Sequence, residues 1–404
     1  MELMNQPING QLGDRLIEML ESSHYHTLNI VVAFAKTSGV LRIKDSLSKF
    51  REQGGKVNVC VGVDLGGTSY EAIKALLLNT DSLTVVHSET GQTFHPKIYQ
   101  FLGEKDGFMA VGSHNLTGGG LWTNFESSII ITEIGSNDTE KETIRGFDTY
   151  TGALDLPADA VMRMNSQDDI DNLLNNGYII KEANRQVRAV NATTKVKDGK
   201  RLFGNGVQAK IPSIAKRKDA TPIPVGDEGD TVWFETKAMT GGSRNILDLS
   251  KKSLVERGDP RHTPFEHDEA GFMLGAVQFF GLNPADEKTT KEITLNFEGV
   301  DYKGNTILFP TGKNPNGTWR LQIHGVSASE KHITEAFRER APQGRYYLVD
   351  KIIAFTKIRD DYYSMSVHPR SELEEFKTAS HILGRNGSSR TARQLGLLAA
   401  LEEA

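Results

Sequence analysis

The chain has 404 residues, of which 38% are hydrophobic and 25% charged, a composition typical of a soluble globular protein with two domains. Its net charge of -5 excludes a uniformly basic coat for nucleic acid, but not a local basic surface. The single cysteine, Cys60, excludes an intrachain disulfide and a cysteine-based zinc site. The first residues lack a basic start, an apolar stretch and a cleavage site, so we expect a cytoplasmic protein without a secretory signal.

The first part of the chain alternates helix-like and strand-like segments. Helical spacing of apolar residues predicts helices at Leu12–Glu21, Val40–Gln53 and Tyr70–Leu78. Apolar segments predict strands at His26–Phe34, Lys56–Val63, Leu83–His87, Lys97–Leu102, Gly107–Val111 and Ser127–Thr132. This alternation predicts an α/β sandwich with a mixed sheet for residues 1–188, completed by a polar helical stretch from Lys141 onward.

The rest of the chain has a different texture. Residues 189–230 combine Pro, Gly and charge with little periodicity, which indicates a linker or arm. Residues 231–370 contain short alternating strands separated by turns and predict a barrel-like β domain, interrupted by a helix at Ala328–Glu339. For residues 371–404 we expect a helical tail of two short helices around a polar break.

Two short motifs in the α/β part contain the candidate catalytic residues. His95 and Lys97 are two apart at the start of a strand, so their side chains leave on the same face. The imidazole can attack phosphorus while the ammonium binds a non-bridging oxygen. A Gly-Ser-His-Asn turn follows the next strand and brings Asn115 to the same phosphate if the two strands form a hairpin. Glu126 opens the following strand and is expected to accept a proton from the other ring nitrogen of His95. Ser113 and Thr117 are candidate phosphate hydrogen-bond donors, whereas His114 is expected to be a turn or groove residue.

His95-Pro96-Lys97 and Gly112-Ser113-His114-Asn115 resemble the signature of the phospholipase D superfamily, over roughly residues 20–135. The chain departs from the superfamily pattern at Leu102, where an aspartate is usual. Glu126 matches instead a subgroup of metal-independent restriction endonucleases. The resemblance implies catalysis by His95, Lys97, Asn115 and Glu126, with no metal ion and no other cofactor.

The number of His-x-Lys motifs predicts an oligomer. Hydrolysis through histidine needs one group to attack and another to protonate the leaving alkoxide. Superfamily members use two such motifs per site, and this chain has one that is followed by the turn. We therefore expect a homodimer through the nuclease domain, with one composite site on a two-fold axis and a phosphohistidine intermediate.

A competing motif, Val61–Thr68, reads VGVDLGGT and resembles the phosphate-binding turn of actin-like sugar kinases. In such kinases the turn leads into a second strand, whereas here a helical pattern follows. A tight strand-to-helix turn is the favoured interpretation, and a backbone nest that contacts DNA phosphate is an intermediate one. The sugar kinase stays a minor alternative.

The β domain carries the expected DNA contacts. Arg244 and Asn245 lie beside two glycines, and such residues pair with guanine and adenine in the major groove. The domain resembles, more weakly, the DNA-recognition domain related to plant B-three transcription factors, which grips DNA with two arms. By this resemblance residues 240–250 form one arm and a loop around 313–320 the other. Further candidates are Lys313, Asn316 and Arg320 for this second loop, and Lys216, Arg217 and Lys218 for backbone phosphates.

Together these features predict a restriction endonuclease subunit that acts on double-stranded DNA. The chain lacks a GxxxxGK[ST] motif, so an ATP-dependent translocase would be a separate partner. The alternative from another class is a lipid phosphodiesterase or phosphatidyltransferase. It needs a second His-x-Lys motif or a membrane-facing apolar surface, and neither is evident, so we expect no membrane partner.

Overall fold

The structure, a computed structural model, is described in two compact units. The first extends to Glu182 and the second begins at Ala183. The described residues are 1–90, 92–105, 107–132, 138–147, 158–192, 229–239, 244–261, 263, 265–310, 317–341, 346–387, 389 and 392–400.

The first unit is built from a mixed sheet with helices packed against it. Its strands are β1 (Glu2–Gln6), β2 (Thr27–Val32), β3 (Lys56–Gly62), β4 (Ser82–Val86), β5 (Lys97–Leu102), β6 (Gly107–Gly112), β7 (Glu126–Thr132) and β8 (Val161–Arg163). Its helices are α1 (Leu12–Glu21), α2 (Thr37–Glu52), α3 (Tyr70–Asn79), α4 (Asp138–Arg145) and α5 (Gln167–Asn175), and α6 (Glu182–Ala192) begins at its last residue. The described strands form an eight-stranded sheet in the order β1-β7-β6-β5-β2-β3-β4-β8.

Strand direction explains how distant parts of the sequence meet at one sheet edge. β2, β3 and β4 are parallel, and β5 is antiparallel to β2, with Lys97 opposite Val32. The end of β2 and the start of β5 therefore lie side by side. β6 ends and β7 begins at the same edge, where Gly112 is opposite Ser128. Rows of buried residues such as Phe101, which contacts Phe50 and Phe108, anchor the strands below this edge.

The second unit is dominated by strands. They are β9 (Thr231–Glu235), β10 (Ile246–Leu249), β11 (Lys252–Arg257), β12 (Phe272–Leu274), β13 (Lys291–Phe297), β14 (Val300–Leu308), β15 (Trp319–Gln322), β16 (Lys351–Arg359), β17 (Tyr362–Pro369), β18 (Ile382–Arg385) and β19 (Gln394–Leu398). Its helices are α7 (Ile333–Arg340), α8 (Leu373–Ala379) and most of α6.

The sheet of the second unit must curl. The strand order is β10-β15-β14-β13-β17-β16-β9-β19-β18-β11-β12, so β10 and β11 stand near opposite ends. A flat sheet would separate them by about 40 Å at the usual strand spacing. Only Ser250 and Lys251 connect them, a link that spans about 10 Å at most. The enclosed core includes Phe234, Phe280 and Phe355.

Several predicted elements of the second unit were wrong. The tail contains one helix, α8, followed by strands β18 and β19, because both strands pair within the sheet. The supposed arm at 240–250 is in its second half strand β10, whose Leu247 and Leu249 are buried. Here tertiary pairing outweighs local propensity. The predicted linker falls mostly outside the described residues.

Within the described part of the chain, no helix combines the length and the apolar character needed to cross a membrane.

Candidate active site

His95 and Lys97 are in direct contact at the start of β5. The Lys97 Nζ lies 2.6 Å from His95 Nδ1 and 3.1 Å from Nε2, and it also donates to the His95 carbonyl oxygen at 3.0 Å. The His95 side chain is exposed, whereas Lys97 is only 7% exposed. A solvent-facing imidazole is thus backed by a largely buried ammonium.

The surroundings of both groups favour their neutral forms. Burial, and then the adjacent Lys97 ammonium, lowers the pKa of His95 below its ordinary value of 6.5. Burial also lowers the pKa of Lys97, while the negative charge of Glu126 acts in the opposite direction. A neutral imidazole is the nucleophilic form of histidine. His95 therefore stays neutral to a lower pH than a solvated histidine.

Asn115 is fixed next to this pair through Phe34. The Asn115 Oδ1 accepts the Phe34 backbone N–H at 3.2 Å, and the Leu116 amide donates to the Phe34 carbonyl oxygen at 3.0 Å. The Phe34 ring meets the His95 ring edge-on, with centroids 5.8 Å apart. The Asn115 amide nitrogen donates no hydrogen bond to any residue that the structure describes. It is therefore available for a ligand.

Glu126 does not contact the imidazole, so the predicted Glu126–His95 hydrogen bond is absent from the described contacts. The Glu126 carboxylate accepts a hydrogen bond from the Ser113 hydroxyl and another from Asn124 Nδ2 at 3.4 Å. β7 returns beside β6, which places Glu126 against the turn at Ser113. The negative charge of Glu126 acts to raise the pKa of Lys97. The Ser113 hydroxyl donates to Glu126, and its predicted contact with phosphate stays a prediction.

Thr117 and His114 have structural roles in the turn. Thr117 is buried, and its hydroxyl accepts the Gly120 amide N–H at 2.9 Å, while its predicted phosphate contact stays a prediction. His114 is buried as well, with Nδ1 bonded to the Gly120 carbonyl oxygen at 2.8 Å. Burial lowers the pKa of His114, against the opposing effects of that bond and of Glu126. His114 stays neutral behind the site.

Sequence reasoning missed Phe34 and Asp64 as neighbours of the site. The Asp64 carboxylate accepts the Phe94 backbone N–H at 2.8 Å, directly before His95, and contacts His87 Nδ1 at 2.7 Å. Asp64 belongs to the VGVDLGGT motif, for which the sequence favours a strand-to-helix turn over a backbone nest for DNA phosphate and a sugar kinase site. Because its carboxylate is occupied in this way, the motif does not favour the sugar kinase.

The predicted DNA contacts divide into three groups. Lys216, Arg217, Lys218, Lys313 and Asn316 lie outside the described residues. The side chains of Asn245 and Arg320 contact other residues of the β domain. Asn245 Nδ2 donates to the Ile323 carbonyl oxygen at 2.6 Å, and Arg320 Nε lies 3.7 Å from Asp248 Oδ1. Arg244 is exposed in a left-handed conformation with φ of 52°, and its guanidinium carbon lies 5.7 Å from the Tyr346 ring centroid.

Strand register places the described ends of the two predicted arms. In the β10–β15 pair, Ile246 is opposite Gln322 and Leu249 is opposite Trp319. Arg244 therefore lies near one end of this pair and Trp319 at the other. Residues 240–243 and 311–316 of the two predicted arms lie outside the described residues.

The described residues contain no group of three or more His, Cys, Asp or Glu side chains that could hold a metal ion.

Comparison with known proteins gave structural matches alone. No protein-family model matches the chain, and no curated protein matches it either. Among solved structures, Nuc from Salmonella typhimurium, a phospholipase D family member, matches 41% of this chain and 97% of its own, with 14% identity and a TM-score of 0.30. NucT from Helicobacter pylori matches 40% and 98%, with 18% identity and a TM-score of 0.28. Polyphosphate kinase from Porphyromonas gingivalis matches 38% and 22%, with 14% identity and a TM-score of 0.25. These scores are too low to support a function, which must be argued from the site residues.

Proposed function

We propose that this protein is a metal-independent phosphodiesterase that hydrolyses DNA as a restriction endonuclease subunit, with His95 as the nucleophile. One observation carries the proposal: an exposed imidazole contacts the buried Lys97 ammonium, and the adjacent Asn115 has an amide nitrogen without a partner among the described residues. A nucleophile, a cation and a hydrogen-bond donor at one sheet edge suit attack on a phosphate.

The Lys97–His95 contact suggests how substrate starts the reaction. In the free site the ammonium is within hydrogen-bonding distance of both ring nitrogens. A phosphate oxygen is a stronger acceptor for a cation than a neutral imidazole. An entering phosphate would take over Lys97 and Asn115 and leave a ring nitrogen free. That nitrogen forms a bond to phosphorus, the phosphorus–oxygen bond to the leaving strand breaks, and water later hydrolyses the phosphohistidine.

Protonation of the leaving alkoxide points to a homodimer. His114, the histidine in the turn beside Asn115, is 1% exposed and its Nδ1 is engaged with Gly120, so it is poorly placed to deliver a proton. We propose that the partner subunit's His95 is the acid and later the base, across a two-fold axis. A mixing experiment tests this: wild-type subunits exchanged with excess His95→Ala subunits should lose activity in proportion to the mixed dimer. Unchanged activity per wild-type subunit would refute the composite site.

The second unit would supply recognition of double-stranded DNA, with Arg244 as the first residue to test. An exposed arginine suits guanine readout in the major groove. A separate ATP-dependent translocase is proposed as a possible partner.

Plasmid cleavage in EDTA tests the proposed activity. We expect the wild type to cut varied plasmids in EDTA and His95→Ala to be inactive, in parallel reactions with and without ATP and proteins encoded by neighbouring genes. Loss of wild-type cleavage in EDTA would refute the metal-independent mechanism. Vesicles that contain phosphatidylcholine are the parallel substrate, since release of choline in place of DNA cleavage would favour the lipid phosphodiesterase.

A further inference from the structure

The Val61–Thr68 turn lies behind the candidate nucleophile. It follows β3, and its contacts reach both chain segments that carry site residues. One segment, 94–97, holds His95 and Lys97. The other, 34–36, contacts Asn115 and Leu116. A tight turn needed only to connect β3 with α3 would not require contacts with both.

The Asp64 carboxylate fixes the backbone of the first segment. One carboxylate oxygen accepts the Phe94 N–H at 2.8 Å, and the other contacts His87 Nδ1 at 2.7 Å. Asp64 is buried, so water molecules cannot easily replace these two hydrogen-bond partners. The Phe94 ring packs with Val31, Cys60 and Val86 on the sheet. The backbone immediately before His95 is thus fixed by both a polar and an apolar contact.

Two glycines of the turn allow close packing against the same segments. A β-carbon at Gly62 would lie 3.0 Å from the Phe94 carbonyl oxygen and 2.8 Å from that of Ala33. A β-carbon at Gly67 would lie 2.0 Å from Cδ1 of Phe34, the ring that meets His95 edge-on. Any side chain at Gly67 would therefore displace this ring.

Thr68 holds the second segment. Its hydroxyl donates to the Gly62 carbonyl oxygen at 2.6 Å and accepts the Ala35 N–H at 3.1 Å. The Lys36 amide in turn donates to the Leu116 carbonyl oxygen at 3.0 Å. Thr68 therefore connects the turn to the loop that carries Asn115.

We propose that the VGVDLGGT turn is a brace for the catalytic histidine and that Asp64 is its positioning residue. Asp64 fixes the backbone of Phe94. Gly67 leaves room for the Phe34 ring, which limits the movement of the His95 ring, so that the imidazole faces Lys97. The proposal rests on the proposed function for its kinetic consequences, but the position of His95 can be measured without any substrate.

Asp64→Ala tests the brace, because alanine offers no side-chain acceptor for the Phe94 N–H. We expect kcat in EDTA to fall by about tenfold to a hundredfold, the scale for a displaced catalytic group. KM should change by less than about twofold, because the phosphate-binding groups stay in place. We also expect diethyl pyrocarbonate to modify His95 several times faster, as measured by mass spectrometry, because the ring is released from Lys97.

Asp81→Ala is the matched control. Asp81 also accepts a backbone amide, that of Val57 at 2.9 Å, but at the opposite end of β3 from the site. Its variant should lose some thermal stability while His95 reactivity and kcat stay at wild-type values. The brace is refuted if Asp64→Ala leaves both readouts unchanged, or if Asp81→Ala alters both equally. If the wild type cleaves no DNA, only the proposed function fails, and His95 reactivity still decides the proposal.

Gly67→Ala provides a second, independent test. The added methyl group should push the Phe34 ring and lower kcat, whereas a smaller side chain at position 34 makes room for it. We therefore expect the double variant Gly67→Ala/Phe34→Leu to be no slower than Phe34→Leu alone. Additive losses would show that the glycine and the ring act independently, and would contradict the proposal.

Discussion

The candidate residues of the two units differ in whether their side chains already have hydrogen-bond or ion-pair partners within the protein. In the first unit the His95 ring faces solvent, and the Asn115 amide nitrogen has no partner among the described residues. In the second unit Asn245 donates within the sheet and Arg320 is paired with Asp248. Both sets were selected by residue type and local pattern. Among the described candidates, the His95 ring and the Asn115 amide nitrogen keep hydrogen-bonding capacity, and in the second unit the Arg244 side chain is exposed as well.

The difference shows that a short sequence spacing predicts a side-chain contact better than residue type does. His95 lies two residues before Lys97, the first residue of β5, so their contact follows from local geometry. Asn245 and Arg320 are polar residues near glycines, yet their side chains lie against Ile323 and Asp248 of the β domain. Arg244 is the exception in the second unit, and the predictions below test both sides of the contrast.

The largest expected effect is that of His95→Ala. Loss of the nucleophile should lower kcat by on the order of 10⁴-fold or more. His26→Ala is the control, because His26 is an exposed histidine directly before the opposite end of β2. It should cleave plasmid at the wild-type rate. Equal activity of the two variants would remove His95 from the mechanism.

Asn115→Asp is expected to lower kcat by about a thousandfold. The aspartate keeps an acceptor for the Phe34 amide, but it replaces the free N–H donor by a negative charge that repels phosphate. Melting temperature, measured alongside cleavage, should stay close to that of the wild type. A large loss of stability with normal activity per folded molecule would make Asn115 a structural residue only.

Lys97→Met should lower kcat by about a hundredfold and change the titration of His95. The Lys97 ammonium lowers the pKa of His95, so its removal should raise that pKa, while burial still holds it below 6.5. The neutral, nucleophilic form then appears only at a higher pH, and the acidic limb of the rate profile shifts upward. NMR titration of His95 checks this directly, and an unchanged or lower pKa contradicts it.

Arg244→Ala should have the smallest of these effects. Loss of one base contact is expected to weaken binding to cognate DNA by about tenfold to a hundredfold, with little change for non-cognate DNA. Arg320→Ala is the comparison, because its guanidinium is paired with Asp248 and should cost mainly stability. Fluorescence anisotropy at fixed salt checks both. A larger binding loss from Arg320→Ala would reverse the ranking of the two arginines.

The sequence predicts much of the first unit. Helix α1 and strand β5 begin and end where apolar periodicity places them, since each buries one face against a continuous core. Strand β1 was missed because its pairing with β7 joins residues more than a hundred positions apart. The tail strand β19 was missed for the same reason: it lies between β9 and β18, and a local helical pattern cannot show this.

The site follows the same rule. The contact between His95 and Lys97 could be predicted, because residues two apart in the chain lie close together without tertiary information. The bond from Ser113 to Glu126 was not predicted, since it depends on the β6–β7 register. The role of Asp64 was also missed, because its amide partner Phe94 is thirty residues away along the chain.

Trapping the reaction intermediate tests the central claim most directly. DNA cleavage in EDTA would be quenched at alkaline pH, where phosphohistidine survives, and the digested protein examined by mass spectrometry. We predict a nucleotide adduct on the peptide that contains His95, formed by the wild type and absent from His95→Ala. An active wild type with an unmodified His95, or with the adduct on another residue, would contradict the account.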